Sequence, residues 1–313
     1  MNPIIPIYEN VTKEFFTENI QTNRKPAILR GVDIGNCSSK WTPEYLIQNV
    51  GDIEVKVHVS SESRLDFINK NFIYKTIKLS ELIKRVSDNI KSEGEYFICP
   101  QEYYYLRSLS SERRGKEVAD LKKQFPQLSN DIVIPKFFKE QDFFSSVLRI
   151  GSEGLQLWTH YDIMDNLLIQ VHGKKRVVLF SPSDVNYLYL NGDKSEVLDI
   201  DNPNLEQFPD FHNAIKYECF LESGDIIFIP ALWFHNTLSL THGVAVNVFW
   251  KNLGHNLYDK NDFYGNKDLL PASKALQSIE KAIKTLDELP EEYREFYIKR
   301  AIRNIANHAR NVK

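Results

Sequence analysis

Eight short apolar segments crowd the chain between about residues 142 and 252: "FFSSVLRI", "LQLWTHYD", "NLLIQV", "KRVVLF", "YECFL", "DIIFIP", "FHNTLSL" and "VAVNVFW". Turn chemistry such as "HGKK", "SPSD", "ESGD" and "THG" separates them. Many short strands joined by tight turns form a sandwich or a small barrel. Upstream, residues 1–141 mix helical patterns ("VTKEFFTENI", "LSELIKRVSDNI", "KEVADLKKQF") with short strands ("PAILR", "IEVKVHV", "EYFIC"), an α+β lead-in. Residues 253–313 turn helical from Pro271, with Ile279, Ala282, Ile283 and Leu286 on one stripe and Ile298, Ile302, Ile305 and Ala309 on another. The expected organisation is an N-terminal α+β region over 1–141, a β core over 142–252 and a C-terminal helical region over 253–313.

Charge and cysteine usage remove several function classes. With 39 basic against 42 acidic residues the formal net charge is -3, so no global field draws the chain to nucleic acid or to a membrane surface, and any such partner is met by a local patch. Cys37, Cys99 and Cys219 are an odd number without CxxC spacing, which argues against a disulfide framework or a cysteine zinc site and fits a reducing compartment. The start, "MNPIIPIYENVTKEFF", lacks the features of a leader, and no apolar run approaches the ~18 to 20 residues of a membrane span. An intracellular, cytoplasmic location is expected.

The strand "LQLWTHYD" carries the first chemical signal. His160 and Asp162 would project from one face while Thr159 and Tyr161 take the other. Alone, the pair also suits a hydrogen-bonded core histidine followed by an aspartate that opens a turn. His235, in "SGDIIFIPALWFHN", adds a third candidate ligand. Two histidines and one carboxylate are the set that holds Fe(II) on one face and leaves the opposite positions open; a hydrolytic zinc competes for the same set. The next strand weighs between them. "HGKKRVVLF" puts Lys175, Val177 and Leu179 on one face, so Lys175 accompanies an apolar face inward, whereas Lys174 and Arg176 suit a solvated strand end. A buried ammonium needs an anion, and a carboxylate-bearing cosubstrate supplies one. Trp158, Trp233, Phe234 and Trp250 flank the candidates as a dry wall or as ordinary core. His58, His172, His212, His242, His255 and His308 have no partner at ligand spacing and suit surface or structural positions.

The combination of "HYD", Asn166 four residues after the aspartate, Lys175 thirteen after it, "GDIIFIPALWFHN" and "VAVNVFW" resembles the JmjC (cupin-like) Fe(II)- and 2-oxoglutarate-dependent oxygenases, in particular their hydroxylases. That resemblance implies a double-stranded β-helix, or jelly-roll, core within an α+β chain. It also implies Fe(II) on His160, Asp162 and His235 as the catalytic centre, with 2-oxoglutarate and O2 as cosubstrates. Lys175 would pair with the distal carboxylate of 2-oxoglutarate, Tyr105 in "YYYLRSL" would face the same carboxylate, and Asn166 and Asn247 would add polar contacts. One position departs from the pattern: Leu157 stands where related asparaginyl hydroxylases carry a threonine, which shifts the carboxylate contacts toward Tyr105 and Lys175.

The likeness extends through "SKWTPEYL", "EVADLKKQFP", "FFKEQDFFSSV", "SEVLDIDNP", "YDKNDFYGNKD" and "LPEEYREFY" to the tRNA-hydroxylating members of the family. It implies a tRNA partner, hydroxylation of a wybutosine-type side chain on the guanosine next to the anticodon of phenylalanine tRNA, and a homodimer through the C-terminal helices. A protein hydroxylase acting on a peptide side chain is the alternative, because iron and cosubstrate residues do not separate the two. A binding module without catalysis would be expected to have lost a ligand, and all three are present. For tRNA phosphates, Arg149 is the first candidate and Lys174 and Arg176 are secondary. The tail from Tyr297 adds Lys299, Arg300, Arg303, Arg310 and Lys313 with no acidic residue, although bases near a helix end also complement the helix dipole.

Overall fold

The computed structural model describes residues 3–87, 96–109 and 117–311. The lead-in supplies β1 (Ile7–Glu9), β2 (Ala27–Arg30), β3 (Glu54–Ser60), β4 (Ile73–Lys78) and β5 (Tyr103–Arg107). The strand-dense region follows with β6 (Phe143–Gly151), β7 (Gln156–His160), β8 (Asp165–His172) and β9 (Lys175–Phe180). After the short β10 (Leu190–Asn191) and β11 (Lys194–Ser195) come β12 (Tyr217–Leu221), β13 (Ile226–Ile229), β14 (Phe234–Ser239) and β15 (Gly243–Trp250). All eight expected strands of that region form.

They sort into two sheets. A nine-stranded sheet runs β1-β2-β13-β8-β15-β6-β5-β3-β4 and a six-stranded sheet runs β10-β11-β7-β14-β9-β12. β1 lies parallel to β2, while neighbours such as β13 and β8, β15 and β6, and β14 and β9 are antiparallel. Alternation decides what each face buries. Leu168, Ile227 and Ala245 of the large sheet meet Val177, Leu179 and Leu221 of the small one between the layers. The large sheet's other face, with Val57, Leu148, Ile169, Phe228 and Val246, is covered by helices Pro43–Val50 and Leu79–Ser87 through Leu46, Val50, Leu82 and Val86. Each fully buried aliphatic side chain of this kind contributes roughly 1.5–3 kcal/mol. This is an α+β, jelly-roll-like architecture.

The lead-in differs from expectation in three places. The pattern "VTKEFFTENI" is a short α-turn, Lys13–Phe15, that widens into a π-helix over Phe16–Gln21. Among the described residues of "KEVADLKKQF", which begin at Glu117, the helix covers Leu121–Gln124: Ala119 is bonded to β6 through Ser146, Asp120 caps the helix start on Lys122, and Pro126 stops it. Tyr96–Cys99 forms no strand, because the Glu102 carboxylate accepts the backbone N–H groups of Ile98 and Cys99 that a ladder would have used; Glu95 falls outside the described residues. The helix expected over "LSELIKRVSDNI" is present as Leu79–Ser87, and 88–90 likewise fall outside.

The chain divides into two compact units, residues 1–255 with 261–266, and residues 256–260 with 267–313. In the second, helices Leu270–Leu286 and Glu291–Asn311 face each other across a groove lined by Ala282, Leu286, Tyr297 and Ala301. Ile279, Ile283, Ile302 and Ile305 of the apolar stripes are exposed. Among the described residues, no helix is long and apolar enough to cross a membrane.

Candidate metal centre

His160 and His235 are cross-strand partners in the β7/β14 register, with ring centroids 4.3 Å apart. The strand expected to continue through Asp162 instead ends at His160. Asp162 reaches the same point by another route: its backbone carbonyl accepts the Leu232 N–H at 2.8 Å, which ties the loop after β7 to the loop before β14. Its Oδ2 then lies 3.5 Å from His235 Nε2. Donor atoms of the three residues all fall within 4.8 Å of one another. A bulge in the β7/β14 register, where His235 faces His160 but Thr237 faces Leu157, lets Leu157 and His160 both line one cavity although they are three positions apart.

Each imidazole donates its Nδ1–H to a backbone carbonyl, His160 to Trp158 at 3.1 Å and His235 to Trp233 at 3.2 Å. That fixes the tautomer and leaves both Nε2 lone pairs free, the form in which imidazole binds a metal. Burial pushes both histidines below their ordinary pKa, so they stay neutral. Trp158 stacks on His160 at 4.9 Å and on Phe67 at 3.6 Å between centroids. Trp250 packs among Phe16, Phe138 and Phe228 in the main core rather than at the cavity. The donor set suits a divalent transition metal held on one side.

The loops that carry these ligands are stitched together by Asp165, which sequence reasoning passed over. Its fully buried carboxylate accepts both Arg24 Nη atoms, at 2.6 and 2.8 Å, and the Ala231 N–H at 2.9 Å. Trp233 Nε1 in turn donates to the Arg24 carbonyl at 2.9 Å. One acid thus joins the N-terminal segment, the turn after Asp162 and the turn before His235.

Lys175 stands in the same cavity as His160 and His235, with Tyr105, Arg149, Leu157, Leu168, Thr237, Ser239 and Asn247 among its walls. Alternation along β9 puts Lys175 with Val177 and Leu179 on the inner face, while Arg176 shares the outer face with Val178 and Phe180. The Lys175 ammonium donates to Ser239 Oγ at 3.3 Å, and among the described residues no carboxylate pairs with it. Burial, then the Arg149 charge, pushes it down to about 8. Tyr105 accepts a hydrogen bond from Arg149. Asn247 Nδ2 donates to Asn166 Oδ1 at 3.0 Å, and the remaining amide atoms of the pair are buried without a partner. These groups fit a dicarboxylate that reaches from the metal toward Lys175.

The remaining candidates scatter. Lys174 is paired with Glu222, and Arg176 is bound by Glu218 and Asp201 on the outer surface. Arg300 lines the groove between the last two helices and Arg303 is exposed. The side chain of Arg310, and Lys313 altogether, lie outside the described residues. Of the described tRNA candidates in the first unit, Arg149 lines the cavity, and Lys174 and Arg176 do not.

Residues 12–256 match the model of the cupin-like domain. A human (Homo sapiens) protein named tRNA wybutosine-synthesizing protein 5 is 56% identical over 97% of this chain and 96% of its own length. Its zebrafish (Danio rerio) namesake is also 56% identical, over 97% and 93% respectively. A protein of Gibberella zeae named tRNA wybutosine-synthesizing protein 4 is 39% identical over 95% of this chain but only 28% of its own length.

Proposed function

We propose a function from one premise: the chain belongs to the cupin-like family and, within it, to the tRNA wybutosine-synthesizing protein 5 group. It is an Fe(II)- and 2-oxoglutarate-dependent hydroxylase of the wybutosine-type side chain of phenylalanine tRNA. The observation that carries the redox class is Lys175, a half-buried cation without a carboxylate partner among the described residues, in one cavity with the convergent His160 and His235. The distal carboxylate of 2-oxoglutarate would supply the anion that this cation lacks.

His160, Asp162 and His235 would hold the iron; Lys175 and Tyr105 would hold the distal carboxylate, and Asn166 and Asn247 would orient the bound acid. Bound iron and 2-oxoglutarate supply the chemistry: O2 delivers one atom to a substrate C–H bond and the other to succinate, with loss of carbon dioxide. The chain's own work is positional. The two Nδ1 bonds keep both rings in the metal-binding tautomer, and the Asp165 stitch holds the ligand loops at one spacing. Ile150, Leu155, Leu157 and Leu168 keep water from the reacting carbon.

Incubation with iron, 2-oxoglutarate and oxygen, with either total tRNA or cell peptides, tests the assignment by mass spectrometry. A gain of one oxygen atom in the tRNA pool is expected; a gain in the peptide pool alone makes the protein hydroxylase the correct reading. The exposed stripes of the last two helices support a homodimer, since an apolar face needs cover. Sedimentation of a chain truncated before Pro271 is expected to show a monomer, and a dimer would refute that assembly.

A further inference from the structure

We propose that Arg107 holds an oxyanion of the RNA substrate in a chamber beside the metal centre. The inference rests on the proposed tRNA function and deepens it. Tyr105 and Arg107 share one face of β5, and Ser145, Val147 and Arg149 share one face of β6, with Arg107 opposite Arg149 in the register. Tyr105 and Arg149 line the metal cavity, while Arg107, Val147 and Ser145 line the adjoining chamber, closed by Phe263 and Tyr264. The chamber thus lies beside the cavity along the same face of β5 and β6.

Its arginine is anchored yet unneutralised. Asp262 accepts the backbone N–H groups of Tyr264 and Gly265, at 3.2 and 2.8 Å, which fixes a turn. The Tyr264 carbonyl at that turn accepts Arg107 Nη2 at 2.8 Å. Arg107 Nε is buried without a partner, as is Nε of Arg149 beside it. Among the described residues no carboxylate comes within ion-pair distance of Arg107, and Glu117 on the chamber wall is exposed and unbonded to it. Burial and the Arg149 charge both hold Arg107 below its ordinary pKa, and Asp162 of the metal cluster partly offsets them. Two adjacent guanidinium groups with unused donors are costly to keep for the fold alone. Their planar forks match a carboxylate or a phosphate. The anion is a backbone phosphate of the tRNA or a carboxylate on its modified base.

Binding of cellular tRNA and of an unmodified transcript by parent, Arg107→Gln and Arg107→Lys, across a salt series, tests this. Arg107→Gln is expected to weaken binding of cellular tRNA by about ten- to a hundredfold, the worth of a hydrogen bond to a charged group. A phosphate gives the same loss on the transcript and lowers the logarithmic salt slope by about one; a base carboxylate confines the loss to cellular tRNA. Parental affinity of a folded Arg107→Gln for both RNAs overturns the proposal. Should near-ultraviolet circular dichroism show that variant unfolded, Arg107→Lys decides: at least about a threefold loss is expected from exchanging a fork for a point charge, and parental affinity overturns the proposal. A parent that binds tRNA but adds no oxygen to it contradicts the proposed function, while this binding comparison still stands by itself.

Discussion

Lys175 and Arg176 are neighbours in the chain and opposites in the structure. Arg176, on the outer wall of the small sheet, is bound by Glu218 and Asp201, and Lys174 at the same strand's edge has Glu222. On the inner wall, Lys175, Arg149 and Arg107 have no carboxylate partner among the described residues, and two of them carry buried donors without any partner. Where a cation serves the fold, the fold provides its acid; where it is left uncompensated beside the convergent His160, Asp162 and His235, the proposed function assigns its acid to a ligand.

The largest break in that contrast comes from the metal donors. His160→Ala, Asp162→Ala and His235→Ala are each expected to lower Fe(II) affinity and 2-oxoglutarate turnover by more than about a hundredfold, the upper range for losing a residue that merely supports a ligand. Metal analysis and succinate formation on the folded variants check this, and parental turnover in any of them refutes the triad.

Arg24→Ala probes a paired cation instead. Asp165 is fully buried, so removing its partner leaves an uncompensated charge, but the Arg24 side chain is 39% exposed and water replaces part of what is lost. A destabilisation of about 2 kcal/mol is expected, below the 3–5 typical of a fully buried pair. Denaturant unfolding measures it, and unchanged stability would show that the stitch is held by the Ala231 and Trp233 bonds without the ion pair.

A smaller effect separates the inner wall by pH. The folded-state pKa of Lys175 lies at about 8, below its ordinary 10.5, so the folded chain sheds this proton before the unfolded chain does. Stability from this group therefore increases as pH rises from about 8 toward 10.5, and cannot be what fails there. Affinity for 2-oxoglutarate, which needs the charged form, is expected to fall above pH 8 by about tenfold per unit. A flat profile to pH 9.5 would show that Lys175 is not the anchor.

The inner parity of Lys175 is legible in "KKRVVLF" because alternation needs only local sequence, and so are all eight strands of the dense region. Three features are not legible. The bulge opposite Asn236 arises from pairing with a distant strand, so nothing near "LQLWTHYD" announces that Leu157 and His160 face one cavity. Asp165 meets Arg24 across 141 positions, a distance over which local periodicity is silent. Arg107 is hinted at by "YYYLR", whose alternation sets it beside Tyr105, but its missing acid shows only once the neighbouring strands are in place.

Anaerobic calorimetric titration of 2-oxoglutarate into the Fe(II)-loaded parent, Lys175→Ala and Arg176→Ala tests the central contrast most directly. Lys175→Ala is expected to bind about ten- to a hundredfold more weakly than the parent, with iron retained, since a charge-assisted contact to a carboxylate is lost but no metal donor is. Arg176→Ala is expected to bind 2-oxoglutarate within about twofold of the parent while losing about 1–2 kcal/mol of stability, since its side chain is 16% exposed but both its acids are partly solvated. Equal affinity in Lys175→Ala and parent, or an equal loss in both variants, would contradict the account.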